Sequence, residues 1–273
     1  MVIIGIVIVY SSVKVVISSF MTMSGGEEVF TGLRNYELLF KDELFYTAIR
    51  NNLILFLCVP VMTVLALVVA VILYEKIKGW QFYRSLIFVP FILAVPVVGV
   101  VFTYILQLNG VLNTLLRDVG MGSLAVDWLG NPSIAIWSVG AVIIWKQFGF
   151  GVILFLARLM SVDPSLYESA EVDGANWIQK FTNITIPVTM PIIEFYVIIS
   201  LIDMLSWVFA FIFVMTGGGP GQSTTVLEYM IYKKSFASGN FHYAQAVCVI
   251  VLIIATLLIV FQQILARRSK NYE

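Results

Sequence analysis

The chain is 273 residues long, 60% hydrophobic and only 12% charged, with 16 basic against 16 acidic side chains and a mean hydropathy of +0.97. Soluble domains carry roughly 45–50% apolar and about 25% charged residues, so the composition excludes an ordinary soluble core and points to a membrane protein. A zero net charge supplies no global field for nucleic acid, and Cys58 and Cys248, both inside apolar blocks, read as small packers rather than a disulfide framework or metal site.

The apolar residues come in blocks of about 20, the length a helix needs to cross the hydrocarbon layer. Uninterrupted blocks predict helices rather than a barrel. Six spans are predicted, at Met1–Phe20, Asn52–Leu73, Ser85–Leu106, Ile134–Leu156, Ile192–Met215 and Ala244–Leu265. The first has no charged leader and no clear cleavage site, so it reads as a span rather than a signal peptide. Pro60, Pro90 and Pro96 are expected to bend spans two and three, because proline removes an intrahelical bond and crowds the preceding turn.

Orientation follows from the short connections, where Lys and Arg are retained on the cytoplasmic side. The link after span two carries Lys76, Lys78 and Arg84 against Glu75, and the tail carries Arg267, Arg268 and Lys270 against Glu273. Six spans put both on one side, with the loop between spans four and five, so both termini and that loop are expected in the cytoplasm. Arg34, Lys41 and Arg50 of the first external loop are matched by acids.

The loop between spans four and five holds a run of small, acidic and amide residues in an otherwise greasy chain. Asp163-Pro164 is a helix start, an Asp cap followed by a residue whose missing N–H costs nothing in the first turn. A short helix from Ser165 should stop at Gly174. Leu166, Ala170 and Asp173 or Gly174 recur at helical spacing and leave one side narrow. A second helix, roughly Trp177–Ile184, presents Trp177, Phe181 and Ile184 on one face, and Pro187 and Pro191 are expected to mark the turn back into the membrane. A plain connector lying on lipid should be rich in Lys and Arg on its polar face. This one has Glu168, Glu171 and Asp173 against Lys180, which favours a helix–Gly–helix lug that docks into a cleft of a soluble partner.

The pattern Tyr167-Glu168-Ser169-Ala170, then Asp173-Gly174-Ala175, Phe181, Ile184, Pro187 and Pro191, resembles the EAA loop of permease subunits of bacterial ABC importers, with Ser169 where that family usually has Ala. Further matches run over nearly the whole chain: Gly32-Leu33 with Asn35-Tyr36, Arg50-Asn51, Arg84 with Pro90 and Pro96, Trp145 with Gly149-Phe150, Thr216–Gly221 (TGGGPG), and Phe236 with Tyr243-Ala244. Together they resemble the carbohydrate branch, the partner bearing TGGGP after its fifth span.

The resemblance implies an all-α membrane protein of the type I ABC importer permease fold, six transmembrane helices with a cytoplasmic coupling helix between spans four and five. It implies a first span and external loop at 1–47, the transmembrane domain proper at 48–265 with the coupling loop at 163–186, and a cytoplasmic tail at 266–273. The implied partners are a second permease, two ATPase subunits and an extracytoplasmic sugar-binding protein. The sequence holds no GxxxxGK[ST] loop, so ATP and Mg are expected on the partner ATPase and no cofactor on this chain. Tyr167, Glu168, Ala170, Asp173, Gly174 and Ala175 are the expected coupling residues, with Glu168 facing the ATPase cleft and Gly174 allowing the break between the two helices.

The transport path should show as polar and aromatic residues inside spans. Trp145, Lys146 and Gln147 stand in span four with Phe150 beyond. Ser200, Asp203 and Trp207 recur at i, i+3 and i+7 in span five, with Met204 and Val208 as the neighbouring register. An aromatic face beside hydrogen-bonding groups suits a sugar. A pairing of Lys146 with Asp203 in a helix contact is the competing account, and both can hold. TGGGPG reads as a tight external connection, or as a grip on the binding protein. His242 falls in a polar external segment and resembles neither ligand nor catalyst. A secondary transporter would leave the 163–186 loop without a task, and a membrane enzyme would need a His, acid or metal constellation that one histidine and scattered acids do not supply. A permease for an amino acid, polyamine or phosphate stays open.

Overall fold

The computed structural model describes the backbone of residues 2–269 and the side chains of residues 5–264. Helix α1 (Val2–Ser18) leads into a hairpin of β1 (Met21–Ser24) and β2 (Glu27–Phe30), paired antiparallel with Ser24 opposite Glu27. The sequence reading missed this hairpin, although its two-residue Gly25-Gly26 turn, with φ of +62° and +91°, carries a familiar signal. There follow α2 (Arg34–Leu39), α3 (Glu43–Phe56), α4 (Cys58–Tyr74), α5 (Trp80–Ile92), α6 (Val95–Leu106), α7 (Val111–Asp118) and α8 (Ala135–Met160). Then come α9 (Ser165–Val172), α10 (Trp177–Lys180), α11 (Ile186–Ser206), α12 (Phe209–Met215), α13 (Leu227–Tyr232) and α14 (Phe241–Ser269).

Among the described residues, five helical stretches are long and apolar enough to cross a membrane: Glu43–Tyr74, Val95–Asp118, Ala135–Met160, Trp177–Ser206 and Phe241–Ile264. The apolar part of α1, Gly5–Ser18, is shorter than that. The expected tail 266–273 lies outside the residues whose side chains are described.

Three expectations need correction. Span three is two helices, α5 and α6, separated at Leu93-Ala94, with Pro90 inside the last turn of α5 and Pro96 in the first turn of α6. Span five breaks at Trp207-Val208 between α11 and α12. And Pro187 and Pro191 do not turn the chain: one helical rod runs from Trp177 to Ser206 through both. The turn before Pro187 is widened, so that the Ile186 N–H reaches the Phe181 carbonyl, five residues back. A wider turn draws the preceding carbonyls away from the proline ring, which relieves the clash that ends ordinary helices. Pro60 sits in the first turn of α4, three residues after Leu57, where α3 and α4 meet with helical dihedrals.

The chain divides into two compact units. The first comprises Met1–Leu55, Val98–Val139 and Asp203–Leu257. Leu39, Phe45, Leu55, Phe211, Ile212 and Met230 are among its buried side chains. Asp42 is a hub here: its carboxylate accepts from Lys234 Nζ and the Tyr243 hydroxyl, both at 2.8 Å, and from the Leu44 amide at 2.9 Å. Burial raises the Asp42 carboxyl, but these donors outweigh it and hold the pKa below its ordinary value. His242 departs from the polar setting expected of it. It is buried, with Nδ1 3.1 Å from the Ser18 carbonyl and Nε2 3.8 Å from Glu28.

The second unit comprises Phe56–Val97, Gly140–Ile202 and Leu258–Glu273. Tyr196, Phe155, Met62 and Leu159 fill its interior. Gly151 marks a close approach: a Cβ there would lie 2.7 Å from the Tyr196 ring on α11 and 2.9 Å from Ala66 on α4. Small residues are what let membrane helices pack at this distance.

Candidate functional site

The segment between α8 and α11 folds as a jointed lug, and its sequence accounts for each joint. The Asp163 carboxylate accepts from the Ser165 amide at 3.0 Å, starting α9. This bond holds the Asp163 pKa below its usual range. Gly174 ends α9 at φ +77°, and the Ala175 amide returns to the Ala170 carbonyl at 2.9 Å, closing a six-residue C-terminal turn. No heavy atom lies within 4 Å of a Cβ added at Gly174, so its requirement is conformational rather than one of space.

Helix α10 then starts with a reciprocal cap that the sequence reading missed. Asn176 Oδ1 accepts from the Gln179 amide at 2.9 Å, and Gln179 Oε1 accepts from the Asn176 amide at 2.8 Å. The Asn-x-x-Gln spacing was the available signal.

The six expected coupling residues divide by orientation. Glu168, Asp173 and Gly174 are exposed, whereas Tyr167, Ala170 and Ala175 are half-buried. Tyr167 faces inward: its hydroxyl lies 3.1 Å from Thr185 Oγ1 and its ring 5.7 Å from that of Tyr74. Trp177 stacks on Phe181 at 5.2 Å, and its indole N–H donates to Glu75 at 2.9 Å. Between these contacts lies a cavity of about 230 Å³, lined by Tyr74, Glu75, Leu159, Tyr167, Glu168 and Trp177 among others. Tyr74 and Glu75 were not singled out in the sequence, because nothing at residue 75 announces a partner at 177. At the apex, Val172 is 89% exposed and Ile178 65%.

The expected path residues fall in different units. In the second, Lys146 is 7% exposed and donates to the Phe91 carbonyl at 3.0 Å, and Phe150 stacks on Phe91 at 4.9 Å. Trp145 is partly exposed, Gln147 half-buried and Ser200 buried. In the first, the Trp207 amide still reaches the Asp203 carbonyl at 2.9 Å, so helical spacing holds up to the break. Trp207 itself is 69% exposed, Asp203 is half-buried, and Met204 and Val208 are packed into the interior.

Residues 31–271 match the family model described as binding-protein-dependent transport system inner membrane component. The chain belongs to that family. It is 34% identical to a probable ABC transporter permease protein of Bacillus subtilis, over 90% of this chain and 85% of the relative. It is 30% identical to the lactose transport system permease protein of Rhizobium radiobacter, over 98% of this chain and 91% of the relative. Among solved structures, a bacterial ABC transporter involved in the import of the acidic polysaccharide alginate aligns with TM-score 0.81 and 26% identity. That alignment covers 98% of this chain and 92% of the other.

In this family member, several polar side chains in and beside the short motifs act as backbone clamps. Asn35 donates to the carbonyls of Ser19 and Met21 at 2.8 and 2.7 Å. Asn51 donates to those of Ser223 and Thr225, both at 2.8 Å. Asn52 donates to the Met204 carbonyl at 2.7 Å and accepts from the Leu227 amide at 3.0 Å. The TGGGPG turn is tied to the segment that follows it, with the Thr224 hydroxyl donating to the Gly219 carbonyl at 2.7 Å. At Gly218, φ is +80° and a Cβ would lie 2.5 Å from the Tyr229 ring.

Proposed function

We propose that this permease forms one half of the translocation path of an ATP-driven importer for a sugar or oligosaccharide, delivered by an extracytoplasmic binding protein. The lactose and alginate systems of its relatives support the cargo class. The assembly is completed by a second permease and two ATPase subunits, with ATP and Mg held by the latter. Both termini and the 163–186 lug face the cytoplasm.

The observation that carries this reading is the lug itself: a capped helix, a left-handed glycine and a second capped helix, with bare Val172 and Ile178 at the apex. Closure of an ATPase dimer drags the lug and rocks the spans as rigid bodies. Glu168 faces the ATPase cleft, and the exposed Trp207 and Trp145 with Gln147 and Asp203 line the path.

The test is the complete transporter reconstituted with its binding protein. Gly174→Asp forces a side chain onto a left-handed backbone, and Ala170→Trp obstructs the narrow side of α9. Each should leave the protein in the membrane and uncouple ATP hydrolysis from uptake. Normal uptake by both would remove the docking argument. Binding assays of a carbohydrate panel on the co-purified extracytoplasmic protein identify the cargo, and capture of an amino acid or phosphate instead would refute the sugar assignment.

A further inference from the structure

Span four carries a lysine where a lysine is expensive. A cation at the middle of a membrane helix costs roughly 2.5–3.5 kcal/mol on insertion scales unless it faces protein or water. Lys146 is 7% exposed, and its ammonium goes to a place made by the interruption of span three. Helix α5 ends at Ile92, Leu93 is extended at φ −64° and ψ 141°, and α6 restarts at Val95 with Pro96, which has no N–H to return to the preceding turn. The last carbonyls of any helix lack helical partners and form the negative end of its dipole. The Leu93 amide reaches only the Pro90 carbonyl, at 3.3 Å. The Phe91 carbonyl takes Lys146 Nζ at 3.0 Å.

Two further contacts act at the same spot. Lys146 Nζ lies 5.3 Å from the centre of the Phe91 ring, and that ring lies nearly parallel to Phe150, one turn along α8, at 4.9 Å and 11°. Between them on α8 is Gly149, where a Cβ would collide with the Ile87 carbonyl of α5. Cation, ring pair and backbone contact therefore fasten the last turn of α5 to α8.

We propose that Lys146 is a positioning residue for transport: its ammonium caps the interrupted third span and pins α5 to α8, so that it holds the wall of the path and does not bind the cargo. The proposal rests on the chain being a permease and not on which solute it carries.

The experiment compares Lys146→Met and Lys146→Arg in the reconstituted transporter. Met fills similar volume without a charge and leaves the Phe91 carbonyl without its donor, whereas Arg restores a cation. Lys146→Met should lower the maximal uptake rate roughly tenfold, the effect of losing about one buried hydrogen bond to a charged group. The half-saturating cargo concentration should stay within about twofold of wild type, with cargo preference unchanged. Lys146→Arg should recover most of the rate. Amide exchange of residues 92–95 should be faster in Lys146→Met, a readout that needs no cargo. A raised half-saturating concentration with the maximal rate kept, or a changed preference, would make Lys146 a cargo contact and overturn the proposal. So would wild-type uptake and exchange in Lys146→Met. If Lys146→Met does not reach the membrane, the same kinetic split in Lys146→Arg decides between the two roles. If the wild-type assembly moves no carbohydrate, the cargo assignment fails, and the exchange comparison still decides the role of Lys146.

Discussion

The indole N–H of Trp177 donates to the carboxylate of Glu75 at 2.9 Å, joining residues 102 positions apart and tying the lug to the end of α4. An exposed hydrogen bond is modest because water competes for both partners, so its role has to be read from coupling. Trp177→Phe keeps the stack on Phe181 and removes the donor, Glu75→Leu removes the acceptor, and Glu75→Gln keeps an acceptor oxygen. In proteoliposomes, Trp177→Phe and Glu75→Leu should each lower the cargo imported per ATP by roughly twofold to fivefold, with Glu75→Gln near wild type. The double variant should be no worse than the weaker single one, because both remove one bond. Additive losses would show that this bond is not the link.

Glu228 on α13 caps α12 from outside that helix, its Oε2 accepting the Phe209 amide at 2.7 Å. Burial pushes its pKa up to about 7 from 4.5, against the amide hydrogen bonds of Phe209 and Val208, which pull it down. The folded state therefore holds this proton more tightly than the unfolded chain. Its contribution is fully present below about pH 4.5 and is lost as pH rises through about 7. The loss amounts to on the order of 1–3 kcal/mol. Thermal denaturation in detergent at pH 5 and pH 8 should show it as a lower midpoint at the higher pH. Glu228→Gln, which keeps the acceptor, should flatten that difference, and an unchanged pH dependence in the variant would assign it to other groups.

Gly151 meets the Tyr196 ring and Ala66 at less than 3 Å from where a Cβ would stand. Tyr196 is 1% exposed, so it has no free side to move to. Gly151→Val should cost about 1–3 kcal/mol or more through overpacking, and membrane abundance should fall. Gly174→Ala is the contrast: it meets backbone strain but open space, and should fold with wild-type abundance.

Asn52 satisfies the Met204 carbonyl and the Leu227 amide with one side chain, at 2.7 and 3.0 Å. Asn52→Leu leaves both backbone groups buried without it, at a cost of roughly 2–4 kcal/mol. A melting point lowered by several degrees checks this, and Asn52→Asp should recover the bond from Leu227 but not the one to Met204.

The apolar blocks revealed where helices lie because lipid tolerates few alternatives, and the Asp163, Pro164 and Gly174 signals located both ends of α9. The breaks at Leu93-Ala94 and Trp207-Val208 were hidden, since hydropathy does not change across them. Pro187 and Pro191 misled for the opposite reason. Before Pro187 the turn Phe181–Thr185 widens to pass the ring, whereas Pro191 stands inside α11 with no structural explanation. At the candidate site, the helix stop at Gly174 could be read from local pattern. The partners of Trp177 and Lys146 could not, because Glu75 and Phe91 are brought to them only by folding.

The rod from Trp177 to Ser206 has a mechanical corollary. Its 30 residues amount to about 45 Å of continuous helix, which joins the lug's second helix to span five with Pro187 and Pro191 inside it. If the lug docks as proposed, a displacement at Trp177 is carried into span five by helical backbone rather than by a loop. The widened turn at Phe181–Thr185 and Pro191 are two places where its ordinary hydrogen-bond ladder is interrupted.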